Sequence, residues 1–226
     1  MEIAIRHNPG FAVARCTLAP GESVRAESGA MMATSAGVAI EAKASGGLMK
    51  SLKRSVLGGE SFFITSFTAP AAGGWVDCAA RLPGDAVGLP VTEGLNITRG
   101  SYLCSDNDVS IDTSWGGFKN LAGGEGGFLV RASGQGQVVL AAYGAIDVMD
   151  LGPSDSMVVD SGHMVAWDNS VQTSLRRAAA GGLMQSAKSG EGFVFELQGP
   201  GRIWTQSRNP TELVAWLTNV LPFSRD

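Results

Sequence analysis

The sequence predicts an all-β protein made of three tandem units of similar length, followed by a single C-terminal helix. Three observations lead to this prediction: an excess of glycine, short apolar runs, and a set of markers that returns three times in one order. The chain has 226 residues, of which 44 % are hydrophobic and 31 are glycine. This glycine content is about twice ordinary usage, and glycine at irregular spacing suits many tight turns.

The apolar runs alternate with clusters of Gly, Ser, Asp and Pro, as strands joined by turns do. Most runs have the usual length of a strand, and the spacing between them suits hairpins and leaves little room for crossover helices. The runs that we predict to be strands are 11–16, 62–67, 127–132, 138–143 and 193–197.

Four markers recur in the same order. The first is a glycine before an apolar pair, at Gly29, Gly100 and Gly162, with an acid seven residues earlier and a valine nine residues later. A glycine doublet, a Gly-Glu pair before an aromatic strand and a glycine-rich turn follow each time. The acids and valines of the first marker are Glu22, Glu93, Asp155, Val38, Val109 and Val171.

A fixed order at a common period of about 65 residues indicates repeated units. We therefore predict one compact domain over 1–226, with units at approximately 18–83, 89–152 and 153–207 in a pseudo-threefold arrangement. The three units should share one core, and the three valines should face inward.

The end of the chain has a different pattern. Asn209 is suited to an N-cap, Pro210 to the first helical turn, and Pro222 to a helix stop, so we predict a helix over 210–221. Apolar residues that fall on one face of this helix indicate packing on a sheet rather than membrane anchoring; they are Leu213, Trp216, Leu217, Val220 and Leu221.

The net charge of −4 argues against a whole-surface attraction to nucleic acid or anionic membrane. Cys16, Cys78 and Cys104 show neither metal-ligand nor redox spacing, which favours buried thiols in a reducing compartment. The sequence shows no signal peptide and no apolar stretch long enough to span a membrane. We therefore expect a soluble cytoplasmic protein with no DNA partner.

Four segments resemble the altered-inheritance-of-mitochondria family of mitochondrial biogenesis: 47–54 (GLMKSLKR), 58–63 (GGESFF), 134–138 (GQGQV) and 199–201 (GPG). The resemblance extends over roughly residues 3 to 207. It implies a tryptophan-attenuator-like fold, a short double-stranded β-helix or β-sandwich, in each unit. It supplies no catalytic residue and no cofactor. The Lys-Lys-Arg triplet through which attenuator rings bind RNA does not recur here, so RNA binding is not expected to carry over.

The acids of the Gly-Glu marker are the most interesting candidate site. Glu60, Glu125 and Glu191 would occupy equivalent places in three related units. They could form a polar ring that binds a cation or a partner, or each could accept backbone N–H bonds at a hairpin corner. We favour the structural interpretation, because repeated units most simply preserve a turn.

The main basic cluster consists of Lys50, Lys53 and Arg54, interleaved with apolar residues. At helical spacing it would make a basic amphipathic turn suited to an anionic surface or a protein partner. The alternative, which we favour, is a solvated loop.

Two further constellations favour structural roles. Ser161, His163 and Asp160 contain the residue types of a catalytic triad, but neighbours along a strand point to opposite faces. A group of acids in a predicted turn, which lacks the spacing of a calcium loop, comprises Asp106, Asp108 and Asp112. We therefore expect no catalytic residue, metal or cofactor.

These observations support three functional hypotheses. The first is a non-enzymatic scaffold or binding protein that forms homo-oligomers, a trimer above all, because strand edges must be paired or covered. The second, by analogy of fold, is a ring that binds a small ligand or RNA. The third is a hydrolase with an unrecognised site.

Overall fold

We describe the fold from a computed structural model, which covers residues 1–44, 63–112, 129–178 and 192–222. The first strands in these ranges are β1 (Glu2–Arg6), β2 (Val13–Leu18), β3 (Ser23–Glu27), β4 (Met31–Thr34), β5 (Ala39–Ala44), β6 (Phe63–Thr68) and β7 (Gly74–Ala79). Next come β8 (Ala86–Val91), β9 (Leu95–Thr98), β10 (Tyr102–Asp106), β11 (Val109–Asp112), β12 (Leu129–Gly134) and β13 (Gly136–Ala141). The last are β14 (Ile146–Leu151), β15 (Ser156–Asp160), β16 (Met164–Asp168), β17 (Gln172–Arg177), β18 (Phe193–Gln198) and β19 (Gly201–Gln206).

The strands form four antiparallel sheets within the described ranges, so the all-β class is confirmed. Sheet 1 has the order β1-β2-β7-β4, and sheet 2 the order β5-β6-β3-β10-β13-β8. Sheet 3 has the order β11-β12-β9-β16-β19-β14, and sheet 4 the order β15-β18-β17. The five runs predicted to be strands coincide with β2, β6, β12, β13 and β18, with boundaries that shift by at most two residues.

Sheet 3 repeats the pairing order of sheet 2, with the number of every strand raised by six. Sheet 1 contains the second half of this order (β4-β7-β2), extended by β1, and sheet 4 contains the first half (β17-β18-β15). The two end sheets therefore each have half of the shared order. The pseudo-threefold symmetry and the tryptophan-attenuator-like fold stay predictions.

Among the residues that the structure describes, the buried apolar side chains form three clusters, so the expectation of one shared core is wrong. Period-two alternation directs alternate side chains of each strand into these layers. The first cluster lies between sheets 1 and 2, and the second between sheets 2 and 3. The third lies between sheets 3 and 4. Val38 packs partly against the first cluster, Val109 is buried in the second and Val171 in the third.

The turns that precede β4, β10 and β16 differ in conformation. Gly29 and Gly100 both have a φ of 87°, a left-handed conformation that glycine adopts at no steric cost. Gly162 instead lies in a 3-10 turn, Ser161–His163, that is capped by the side chain of Asp160. The third turn is thus built by capping rather than by a left-handed glycine.

The C-terminal helix, α1, spans Pro210–Val220 and confirms the predicted start. The Asn209 side chain accepts a hydrogen bond from Thr211 N at 2.9 Å, as an N-cap does. The predicted packing of its apolar face is largely wrong: Leu213 and Leu217 are half-buried, whereas Trp216 and its apolar neighbours Val214, Val220 and Leu221 are exposed. The faces of sheet 3, from which the helix continues, are already covered by the second and third clusters.

Candidate functional site

The candidate residues of the two predicted sites lie outside the described residues. They are Lys50, Lys53, Arg54, Glu60, Glu125 and Glu191. Along the chain they fall in the stretches between β5 and β6, β11 and β12, and β17 and β18. The acidic ring and the basic contact surface therefore stay predictions.

The strand pairing leaves two sheet edges open where internal sheets have a partner. In sheets 2 and 3, β3 pairs with β10 and β9 pairs with β16. The corresponding strands at the two ends of the chain, β15 in sheet 4 and β4 in sheet 1, are edge strands in the described topology. We call them the β15 edge (Ser156–Asp160) and the β4 edge (Met31–Thr34).

These two edges expose apolar side chains. On the β4 edge Met31 is 39 % and Met32 is 56 % exposed, and on the β15 edge Val158 is 54 % exposed. Neither edge strand contains Lys, Arg or Pro, which natural edge strands use to prevent pairing. An edge of this kind can accept another strand.

A buried ion-pair cluster lies beside the β4 edge, on the opposite face of sheet 1 from the first apolar cluster. Asp77 on β7 is 2 % exposed and accepts two hydrogen bonds from Arg15, each of 2.8 Å, and one of 2.7 Å from Arg6. The Arg15 guanidinium also stacks over the Trp75 ring at 4.0 Å. Hydrogen bonding from Arg15 holds the pKa of Asp77 below its ordinary value, so the carboxylate is charged and fully satisfied.

The three cysteines meet inside the first cluster, although they are far apart in sequence. The Sγ atoms of Cys16 and Cys104 are 3.7 Å apart, and Cys78 lies in the same cluster. All three thiols are free and buried, as predicted. Hydrogen bonding to Cys16 and Cys78, together with burial, raises the pKa of Cys104 well above its ordinary value, which keeps this thiol neutral.

The residues that resemble a triad form separate structural contacts. Asp160 Oδ1 accepts a hydrogen bond from Gly162 N at 2.8 Å, and His163 Nδ1 lies 2.7 Å from the carbonyl oxygen of Gln206. Gln206 in turn donates to the carbonyl oxygen of Gly162 at 2.8 Å. These bonds fasten the turn between β15 and β16 to the end of β19.

Of the three acids grouped around the turn after β10, Asp106 forms a structural contact. Asp106 Oδ2 accepts a hydrogen bond from Gln137 N at 2.6 Å, which joins β10 to the start of β13. Among the residues that the structure describes, no group of three or more His, Cys, Asp or Glu side chains is arranged to hold a metal ion.

A cavity of about 850 Å³ lies at the strand ends next to the start of α1. Its walls combine apolar side chains with charged residues of both signs: Glu27, Arg81, Arg99, Asp160 and Glu212. The cavity thus presents two positive and three negative side chains. It does not by itself distinguish a binding protein from a scaffold.

Comparison with known proteins identifies the family of this chain. The family model described as mitochondrial biogenesis AIM24 matches residues 3–208, which is nearly the whole chain. The chain belongs to the AIM24 family. This confirms the resemblance drawn from the glycine-rich segments.

Relatives of this AIM24 chain extend over the same length. An uncharacterized protein of Streptococcus pyogenes serotype M6 is 29 % identical over 233 residues, which cover 99 % of this chain and 92 % of the relative. A crystal structure of a Streptococcus pyogenes protein matches with a TM-score of 0.82 and 28 % identity. The match covers 97 % of this chain and 99 % of that one. The likeness therefore extends over nearly the whole of both chains.

The described part of this AIM24 chain contains no helix that is both long and apolar enough to cross a membrane. The helix that it does contain, α1, has eleven residues.

Proposed function

We propose that this AIM24 protein is a non-enzymatic scaffold or binding protein that acts as a homo-oligomer. The observation that carries the proposal is the pair of open, apolar strand edges, β4 and β15, at opposite ends of the stack of sheets. An exposed apolar edge presents unpaired N–H and C=O groups to any strand that can reach it, and proteins commonly cover such edges by association.

The contacts of the polar residues support a role without catalysis. A nucleophilic mechanism requires a base within hydrogen-bond reach of a nucleophile and a group that orients the base. Here Asp160 caps a turn, and His163 is bound to a backbone carbonyl. Asp77 is neutralised by two arginines. Each of these groups has a partner that explains its position in the fold.

The oligomer that we expect is a trimer. A contact between two different edges leaves one free edge at each end of the assembly until a ring closes. The trimer is our expectation for that ring, by analogy with the ring assembly of the tryptophan-attenuator-like fold that the chain resembles. Weak RNA binding, a cytoplasmic location and the alternative roles of ligand-binding ring and hydrolase stay predictions.

Light scattering on a size-exclusion column tests the proposal over a range of loading concentrations. One chain has a mass of 23.4 kDa, so a closed trimer would have three times that mass. We expect a mass above that of one chain, which rises with concentration until the ring closes. A mass of 23.4 kDa at every concentration would contradict it.

A further inference from the structure

The geometry points to a specific interface for this association: the β15 edge of one copy pairs antiparallel with the β4 edge of a second copy of this chain. The inference rests on the proposed function and names the surface through which it operates. The two half sheets would join into one sheet, β17-β18-β15 of one copy followed by β4-β7-β2-β1 of the next. Apart from the added β1, this order is the one that sheets 2 and 3 already have inside the chain.

The two internal junctions have the same register. Between β10 and β3, Cys104 is opposite Ala26 and Ser105 is opposite Arg25. Between β16 and β9, the same offsets place Ala166 opposite Ile97 and Trp167 opposite Asn96. The register of a junction is therefore a property of this strand order rather than of one pair of side chains.

The β4 edge has the features of the first strand in these junctions. β4, β10 and β16 each contain a register shift against the neighbouring strand, after Met31, Tyr102 and Met164. Each is also fastened at its end by a side-chain oxygen that accepts a backbone N–H. The three bonds are Trp75 N to Ser35 Oγ at 3.0 Å, Gln137 N to Asp106 Oδ2 at 2.6 Å and Arg202 N to Asp168 Oδ2 at 2.8 Å. In this alignment Thr34 of β4 corresponds to Ser105 of β10 and to Trp167 of β16.

The β15 edge has the features of the second strand. Its pairing with β18 places Val158 opposite Glu196, as the pairing of β3 with β6 places Arg25 opposite Ser66. The turn before it is also shared, because Asp155 accepts from Gly152 N as Glu22 accepts from Ala19 N, each at 2.8 Å. Thr34 of one copy should therefore lie opposite Val158 of the next, and Ala33 opposite Val159.

Residues of the two open edges are more exposed than the corresponding residues of the internal junctions. Leu103 and Val165, which take the place of Met32 in the two internal junctions, are 2 % and 0 % exposed, against 56 % for Met32 itself. Val158 corresponds to Asn96 in sheet 3, which is 4 % exposed, and to Arg25 in sheet 2, which is half-buried. Pairing with a second copy would bury Met32 as the internal junctions bury Leu103 and Val165, and it would lower the exposure of Val158.

One feature makes the contact between copies weaker than an internal junction. In the aligned sheets, Asp77 on β7 corresponds to Val139 on β13 and to Trp204 on β19. Val139 and Trp204 both lie in apolar clusters. Sheet 1 thus presents a neutralised ion-pair cluster where the internal sheets present apolar side chains. We expect reversible, concentration-dependent association. Because the two edges differ, the contact is head-to-tail rather than a symmetric dimer.

The test uses two variants that each block one edge with a charge, Thr34→Lys and Val158→Lys. Val148→Lys is the matched control, because Val148 is a valine of similar exposure, 51 %, on the edge strand β14 of sheet 3. Each variant is first checked for an unchanged thermal melt, and its mass is then measured by light scattering, alone and in an equimolar mixture.

A head-to-tail contact makes a distinctive prediction. Thr34→Lys and Val158→Lys should each have the mass of one chain, and Val148→Lys should assemble like the wild type. Mixing the two blocked variants should restore a dimer of twice the single-chain mass and nothing larger, because the mixture contains only one compatible pair of open edges.

The outcomes separate this inference from the proposed function. If the wild type assembles and both blocked variants assemble equally well, the scaffold stands and this interface is wrong. If either blocked variant forms a dimer by itself, the contact is symmetric and the head-to-tail pairing is wrong. If the wild type has the mass of one chain throughout, both proposals fail.

Discussion

Replacing Asp77 with alanine should destabilise the protein more than any substitution of an exposed acid. Asp77 accepts three charge-assisted hydrogen bonds of 2.7 to 2.8 Å, and its side chain is 3 % exposed. The alanine variant would leave two guanidinium groups without their shared carboxylate. Removing one partner of a fully buried ion pair costs about 3–5 kcal/mol.

The cost here should be smaller, because the Arg6 and Arg15 side chains are 37 % and 35 % exposed and water can replace part of the lost contact. We expect a loss of about 2–3 kcal/mol in the free energy of unfolding. For a chain of this length, that corresponds to a melting temperature about 5–10 °C lower. Asp147→Ala is the control, since Asp147 is exposed on β14 and should change the free energy by less than about 0.5 kcal/mol.

The pH dependence has a definite sign. A carboxyl group whose pKa is lowered in the folded state stabilises the protein above its ordinary pKa of about 4 and loses this contribution as pH falls through the lower folded value. The gap in unfolding free energy between wild type and Asp77→Ala should therefore be full at neutral pH and shrink below pH of about 4. Urea unfolding followed by tryptophan fluorescence measures it. A gap that is absent at neutral pH, or that stays constant into acid, would refute the reasoning.

Three further predictions follow from the turns, the helix cap and the thiols. Gly29→Ala should lower the free energy of unfolding by about 1 kcal/mol, because alanine would have to adopt the left-handed φ. Gly162→Ala should lower it by about 2 kcal/mol, because the added Cβ would lie 2.2 Å from Asn209 Nδ2. Thermal melts of the two variants measure the difference. Asn209→Ala should cost about 1 kcal/mol and lower the helical signal in circular dichroism, and an unchanged spectrum would contradict the cap. Cys16 and Cys104 should react with a thiol reagent only after unfolding, so rapid reaction of the native protein would contradict their burial.

The parts of the fold that depend on local pattern could be predicted from the sequence. The strands around Phe67, Val130 and Phe195 are short apolar runs between turn residues, and that pattern needs no knowledge of the partner strand. The start of α1 could also be predicted from the sequence, because Asn209 and Pro210 act within one turn of the helix.

The parts that depend on distant partners could not be predicted. Cys16 and Cys104 are separated by 88 positions, and nothing in their spacing shows that two strands bring their sulfurs together. Asp77 alternates with buried neighbours and looks like an ordinary outward-facing acid, because its arginine partners lie 62 and 71 positions away. The exposure of Trp216 follows from which sheet faces are already covered, and periodicity carries no information on that.

The open edges belong to the same class. A run such as Met31–Thr34 is recognisable as a strand, but whether it is central or at an edge depends on the pairing order of all four sheets. The sequence indicated only that strand edges would need covering. In the described ranges the strand order gives β4 and β15 as edge strands, and the internal junctions indicate the register that we propose for them.

Amide hydrogen exchange, followed by mass spectrometry over about a hundredfold range of protein concentration, tests the self-association most directly. We predict that exchange in β4 and β15 slows as concentration rises, because their backbone N–H groups enter a shared sheet. Exchange in β8 and β14, each of which is one of the two edge strands of its sheet, should stay unchanged. Exchange in β4 and β15 that is fast and independent of concentration, in a range where the mass shows assembly, would contradict it.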